Sequence, residues 1–476
     1  MDAQNQHPLL TQFRDAMPKG ADLAAHLVGK GAEFDGPFGT KKIVYADYVA
    51  SGRALMCVEQ FILENVLPFY ANSHTEASHC GGFMTRLRNA ARATVAAHCG
   101  ADERHAVVFA GSGATAGINR LVRLFEADTG RVKVIIGPYE HHSNILPWRE
   151  SGAEVVELPE APTGGPDMDA LDAELRNADA YDRVICAFSA ASNVSGIIAD
   201  VEQITRKVKA AGAKIIWDYA GGGPYLPMNM SPAKDAEIDA LVFSPHKFIG
   251  GPGASGVLVL RRDAVMSDRP TWVGGGTVRF VSSETHDYSS QIEHREEAGT
   301  PNVIGDIRAG LAVIVKEEIG QDFMFERNRH LAKRALAELE KSPMIEQLGL
   351  TEPDRLPILS FRVRHPEGGF VHHQFVTKLL SDRYGVQARG GCACAGPYVL
   401  RLLGLSDVAA DLRDEILAGH EMEKPGFVRF NLSVLMSDAE VAFILESVRA
   451  ISEEAHRFSD SYCVDPSRAI FTAQAA

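Results

Sequence analysis

The chain of 476 residues has no run of the roughly 20 apolar residues that a membrane-spanning helix requires. Its first residues, "MDAQNQHPLLTQFRDAM", hold no basic stretch followed by an apolar one, so no secretory signal is expected. Cysteine is scarce and odd in number. Seven cysteines are scattered along the chain, which excludes a disulfide framework and fits a reducing cytoplasm. Positive charge is in deficit: 48 Lys and Arg stand against 62 Asp and Glu, for a net charge of −14. That balance argues against nucleic acid and against an anionic membrane surface as partners. Internal repeats, low-complexity tracts and long charge blocks are also missing.

What remains is an ordinary globular composition, 45% apolar and 23% charged. The length suggests two domains. From residue 43 to 260, short apolar runs alternate with helical patterns. "AVVFAG" (106–111), "KVIIGP" (133–138), "AEVVELP" (153–159), "RVICAFSA" (183–190), "AKIIWD" (213–218) and "ALVFSP" (240–245) read as strands, and "AGINRLVRLFEA" and "DVEQITRKVKAAG" read as helices. This alternation implies an α/β fold with a mostly parallel sheet between helices, and ligands bind outside the carboxyl ends of such strands. Beyond residue 310 the pattern shifts to a smaller α+β domain. The expected division is an N-terminal arm at 1–42, a large domain at 43–310 and a small domain at 311–476.

The strand ends hold most of the chemistry-bearing residues. "AGSGATAG" (110–117) combines glycines with Ser112 and Thr115 just before a helix, which is a generic anion cradle and equally an ordinary capped turn. In "YEHHSNILPW" the adjacent His141 and His142 point to opposite sides of extended chain and suit no shared metal. Asp218 closes an apolar run, where an unpaired carboxylate is costly, so it needs a cationic partner, an arginine or a protonated heterocycle. His246 and Lys247 lie between two apolar runs, followed by four glycines. Gly251, Gly253 and Gly256 formally match a dinucleotide fingerprint, but a strand follows them and not a helix, so they read as a strand–turn–strand. In "ARGGCACAGPY" (388–398), Cys392 and Cys394 are too few for a zinc site and diverge if the loop is extended. A positive charge from Arg389 would favour attack by a nearby thiol. Both cysteines also read as small residues packed in a Gly-rich loop.

The ordered set "SPHKF", "EAGTPN" (297–302), "EHHSNILPW" and "RGGCACAGP" resembles the class V aminotransferases of pyridoxal-phosphate fold-type I. Within them it is similar to the cysteine desulfurase and selenocysteine lyase group. The resemblance runs from 43 to 455 and implies a large domain with a mostly parallel seven-stranded sheet plus a smaller α+β domain. It implies pyridoxal 5'-phosphate as cofactor, with Lys247 as the lysine that carries it. It assigns Ala114, Thr115, His246 and a second subunit's Thr300 to the cofactor phosphate. His141 becomes the ring-stacking and catalytic histidine, Asn193 a contact near the ring hydroxyl, and Asp218 the partner of the ring nitrogen. Arg429 is implied to hold the substrate carboxylate, with Arg389, Asn72 and His74 as further substrate-binding residues. Cys394 falls on the catalytic position and Cys392 on one often held by histidine. Gly221 stands where the desulfurases usually carry glutamine. The implied activity is persulfide formation on Cys394 with release of alanine, by a homodimer with a shared active site and a sulfur-acceptor protein as a further partner. The alternatives are an aminotransferase, epimerase or β-lyase that uses Lys247 alone, and a catalytically silent scaffold. No metal is expected.

Overall fold

Seven apolar runs become strands of one sheet in the computed structural model, which describes residues 7–73, 76–351 and 354–474. They are β1 (His105–Gly111), β2 (Val132–Ile136), β3 (Glu154–Glu157), β4 (Arg183–Ser189), β5 (Lys214–Asp218), β6 (Ala240–Phe243) and β7 (Gly256–Arg261). The sheet order is β1-β7-β6-β5-β4-β2-β3. Only β7 runs against its neighbours, β1 and β6. The runs lack alternation in the sequence because both faces are covered. Val107, Phe109, Val184 and Trp217 enter one core, and Val108, Ala110, Ile185 and Ile216 enter the other. Consecutive residues thus feed opposite layers, as the pleat requires.

The chain divides into two compact units. The first holds residues up to Val28, Ser51–Ala191 and Ala199–Phe323; the second holds Gly29–Ala50, Ser192–Ile198 and the chain from Met324 onward. The crossings are more numerous than the sequence-based divisions at 42 and 310. Val44 and Tyr45 join the second unit because they pair in parallel with Val386 and Gln387. The segment 192–198 joins it because Ile197 bridges to Arg355 and Val194 O accepts from Ser360 Oγ at 2.7 Å.

In the first unit the principal helices are α1 (His79–His98), α2 (Gly113–Leu124) and α3 (Val303–Ile319). A short N-terminal helix, Pro8–Ala16, buries Leu10 and Phe13 and pairs Arg14 with Glu317 of α3. The second unit has an antiparallel sheet of β8 (Ile345–Gln347), β9 (Ile358–Arg364), β10 (Phe370–Val371), β11 (Arg389–Gly391) and β12 (Phe427–Asn431). Its helices include α4 (His373–Tyr384), α5 (Gly396–Leu402) and α6 (Asp438–Glu454), the last opened by a capping box of Ser437 and Glu440. A terminal hairpin, Tyr462–Asp465 with Ile470–Ala473, was not anticipated, because most of its residues are exposed and give no apolar run.

One buried ionic knot ties α1, β1 and α3 together. Glu297 accepts from Arg88 Nη2 at 2.5 Å, from Arg92 Nη1 at 2.7 Å and from Phe109 N at 2.8 Å. Arg88 Nε reaches Asp306 of α3 at 2.6 Å. Burial alone would raise the Glu297 carboxyl, but Arg92, Arg88 and the Phe109 N–H hold it at about 2, below its usual 4.5. Folded Glu297 therefore binds fewer protons than unfolded Glu297 between those two values. Its contribution is complete above pH 4.5 and is lost as pH falls toward 2. Glu297→Gln leaves Arg92 without this carboxylate and Arg88 with Asp306 alone, and is expected to cost about 3–5 kcal/mol at neutral pH. Urea unfolding of wild type and variant should show a constant gap from neutral pH down to about pH 4.5 and a narrowing gap as the pH falls from there toward 2. A gap that fails to narrow there would mean that this charge is not what holds the three elements.

Candidate active site

The carboxyl ends of β1, β2, β5 and β6 carry the first unit's site residues. After β1 the chain turns through Gly113, at φ +63°, into α2. Ala114 N donates to Ser244 Oγ at 2.9 Å. A Cβ on Gly113 would stand 2.8 Å from that hydroxyl and 3.1 Å from His246 Cε1. The start of α2, the Ser244 hydroxyl and the His246 ring thus stand together beside Gly113, and this combination of donors suits an anion. Burial, and then the charge of Lys247, lower the pKa of His246. Ser244 was not singled out from the sequence, although it opens the "SPHK" motif.

The loop after β2 is rooted by a buried carboxylate. Glu140 accepts from Ser189 N at 2.8 Å, from Ser189 Oγ at 2.7 Å and from Asn144 Nδ2 at 2.5 Å. Asn144 Oδ1 in turn accepts from the buried Trp148 Nε1 at 3.0 Å. Burial pushes the Glu140 carboxyl up to about 7. His141 caps the following turn. Ser143 N donates to its Nδ1 at 3.1 Å, so a neutral His141 ring carries its proton on Nε2. Ser143 Oγ lies 3.0 Å from the same nitrogen and 2.7 Å from Thr115 Oγ1, joining the two expected cofactor residues through a serine the sequence analysis did not single out.

Asp218 ends β5, beside β6. It is buried, and burial raises its carboxyl, while Ala220 N at 2.7 Å and the nearby Lys247 oppose that shift. Lys247 sits on the turn after β6, half-buried. The glycines around it work by absence of a side chain. A Cβ on Gly251 would fall 1.8 Å from Pro245 O, and one on Gly52 would fall 1.9 Å from Phe248 O. A further residue without a clear sequence signal is Lys316 of α3, a lysine inside an apolar run. Its Nζ donates to Gly223 O at 2.7 Å and Leu226 O at 2.5 Å, and it lies over the Phe248 ring. Burial lowers its pKa to about 7. It pins the turn that contains Gly221, where the desulfurase glutamine is missing. Thr300 is exposed on the turn before α3, and Asn72 is exposed as well; His74 lies outside the described residues.

In the second unit, Arg429 of β12 lies opposite Arg389 of β11. Asp47 bridges them, with Oδ1 at 3.0 Å from Arg429 Nη2 and Oδ2 at 3.0 Å from Arg389 Nε. Arg389 is therefore engaged by a carboxylate, which the sequence reading of it as a charge for the thiol did not include. Arg429 Nη1 also donates to Asn193 O at 2.9 Å, and Asn193 Nδ2 donates to Ala393 O at 2.8 Å. The cysteine loop is not extended. Ala393 and Cys394 are both left-handed, at φ +50° and +55°, so the divergence argument for the two thiols does not apply. Burial separates them instead: Cys392 is half-buried and Cys394 exposed.

Lys247 on the turn after β6, the buried Asp218 at the end of the neighbouring β5 and the glycine turn after β1 thus lie at strand ends of one sheet, where α/β enzymes bind their ligands. The class-V aminotransferase profile matches residues 44–443, and the chain belongs to that family. It is 31% identical over 366 residues to a cysteine desulfurase of Enterobacter sp. (strain 638), covering 75% of this chain and 85% of that protein. A cysteine desulfurase of Pectobacterium atrosepticum is 31% identical over 368 residues, with the same coverage. In fold the chain is similar to the apo cysteine desulfurase of Thermococcus onnurineus NA1, with a TM-score of 0.73 and 24% identity over 92% of this chain and 99% of that one.

The tight packing at Gly52 can be measured. Gly52→Ala should destabilise the protein by about 1–3 kcal/mol through overpacking. Gly275→Ala, where a Cβ meets nothing within 4 Å, should be close to neutral. Equal melting temperatures for the two variants would show that the backbone at Phe248 can move aside.

Proposed function

We propose that the protein is a pyridoxal-phosphate enzyme that takes sulfur from L-cysteine onto Cys394 and releases alanine. The observation that carries this reading is Lys247 at the end of β6 with the buried Asp218 on the neighbouring strand. It is supported by the desulfurases to which the chain is similar. The residues present fit the cofactor: the space that a Gly113 Cβ would fill is lined by Ser244, His246 and the start of α2, all suited to a phosphate. Thr115 and Ala114 N belong to the same set.

When bound, the cofactor supplies an electrophilic carbon for an amine and an electron-withdrawing ring. Asp218, raised by burial, would hold the ring nitrogen and would gain its counter-charge there if that nitrogen is protonated. His141, with its proton on Nε2, presents a flat neutral face to a flat ring. Lys247 would hold the cofactor, and its amine would serve to move a proton. Arg429 forks onto the substrate carboxylate, and its guanidinium is held ready by Asn193 O and Asp47. In the net reaction the substrate C–S bond breaks, an S–S bond forms at Cys394, and the carbon left behind is protonated to give alanine. Exposure of Cys394 suits later transfer of the sulfur to an acceptor protein. Seven free cysteines accord with a reducing cytoplasm, and no described helix is long and apolar enough to cross a membrane.

The experiment is to incubate wild type, Cys394→Ser and Cys392→Ser with cysteine and to weigh each protein. A persulfide mass shift should appear on wild type and Cys392→Ser and be lost in Cys394→Ser, which keeps its yellow cofactor. Lys247→Ala should lose the absorbance of the lysine-bound cofactor. A Cys394→Ser variant that turns over an amino acid normally, beside wild type with no shift, would favour an aminotransferase or lyase instead.

The reading includes a homodimer with a shared site. Thr300 is exposed, and Trp272, Val273, Phe280 and Val281, from the stretch just before it, expose large apolar side chains, Trp272 by 65%. Mixing Lys247→Ala with Thr300→Ala subunits should restore part of the activity. Full activity in a verified monomer would rule the shared site out.

A further inference from the structure

Two guanidiniums and one carboxylate form a compact charge cluster in the second unit. Arg429 is nearly buried, with 3% of its side chain exposed, and Asp47 is 13% exposed, whereas Arg389 is 47% exposed. The position of Asp47 is built in by the backbone. Ala46 N donates to Gln387 O at 3.0 Å, Asn431 N to Ala46 O at 2.8 Å, and Val49 N to Asn431 Oδ1 at 2.8 Å. Tyr45 OH closes the segment by donating to Asp47 O at 3.1 Å. The carboxylate is therefore fixed beside β12, with one oxygen on each arginine.

The sum of the cluster is a single positive charge. Without Asp47 it would be two, a site suited to a ligand with two acids. With Asp47 in place, one carboxylate on the ligand balances the cluster, and a second would meet the Asp47 oxygens as a like charge. Discrimination of this kind works by repulsion as well as attraction.

We propose that Asp47 is a specificity-determining residue: it sets the Arg429–Arg389 pair to accept amino acids with one carboxylate and a neutral side chain, and to reject those with an acidic side chain. This rests on the reading of Arg429 as the substrate-carboxylate residue. Asp47 acts through the arginines and is also a positioning residue for Arg429.

The test is a spectral titration of the cofactor-loaded enzyme with L-alanine and L-aspartate, which reads binding and needs no turnover. Wild type should bind alanine more tightly than aspartate. In Asp47→Asn the ratio of the two dissociation constants should shift toward aspartate by about tenfold, the equivalent of about 1.4 kcal/mol. Alanine itself should bind several-fold more weakly, because Arg429 loses its support. Asp47→Glu, which keeps the charge, should keep the preference for alanine. Arg389→Gln serves as a second variant at a half-exposed position: it removes the surplus charge and should weaken both ligands about tenfold. An unchanged ratio in Asp47→Asn, or unchanged alanine binding in Arg389→Gln, would overturn the proposal while persulfide formation on Cys394 left the function standing. If no amino acid perturbs the bound cofactor and cysteine yields no persulfide, both readings fall together.

Discussion

The turn that bears Lys247 is held by backbone packed on backbone. Gly52 lies against Phe248 O, Gly251 against Pro245 O, and Gly256 against Gly113, each closer than any side chain permits. Hydrogen bonds lock the same contacts: Gly52 N donates to His246 O at 2.9 Å and Gly250 N to Arg53 O at 2.8 Å. A lysine on a flexible stem is a poor positional device by itself. Here its Cα is fixed by peptide units that have no rotamers to explore. The same packing brings β7 back beside β1, so the anion cradle at Gly113 and the lysine turn belong to one rigid set. The glycines after Lys247 thus serve approach of chains, and the formal dinucleotide match among them has no helix to open.

Around that turn the protein buries charge in four distinct ways. Glu297 is paired twice over and stays strongly acidic. Glu140 is satisfied only by neutral donors and is pushed up to about 7, with Asp218 close enough to add to the shift. Lys316 is satisfied only by carbonyls and is brought down to about 7. Asp218 has Ala220 N and the proximity of Lys247, and burial still raises it. The differences follow from partners, since all four are buried. A structural knot needs the doubly paired kind. Asp218, whose compensation within its own chain is incomplete, is the one that stands at the strand end, which is why the proposed function gives it a cationic partner.

The legibility of the sequence follows the range of the contacts. Most of the seven strands were readable because burial on both faces writes continuous apolar runs, and the six given a range from the sequence lie within two residues of it at either end. His141, Asp218, His246 and Lys247 stood out as candidates because polar side chains at strand ends interrupt such runs, and the fold does place them at the carboxyl ends of strands. Asp47 was not, since its meaning comes from Arg429, 382 positions away. The segment 192–198 reads as a loop after β4, yet pairing with Ser360 and Arg355 draws it into the other unit. Lys316 sits in an apolar helix with no local cue that two carbonyls await it.

The cysteine loop carries the same lesson into function. Two consecutive residues that are not glycine, Ala393 and Cys394, hold left-handed backbone, a conformation that costs roughly 1–2 kcal/mol each. Something must oppose that cost, and the contacts are local to the second unit. Ala395 N closes a turn on Cys392 O at 3.1 Å, and the Asn193 amide holds Ala393 O. The peptide oxygen of the same asparagine takes Arg429 Nη1. Asn193 therefore links the loop that exposes the thiol to the arginine assigned to the substrate carboxylate. Asn193 thus stands one hydrogen bond from Arg429 and one from the left-handed loop. The two left-handed residues persist because the surrounding hydrogen bonds over-determine them, and the thiol is thereby presented at the surface.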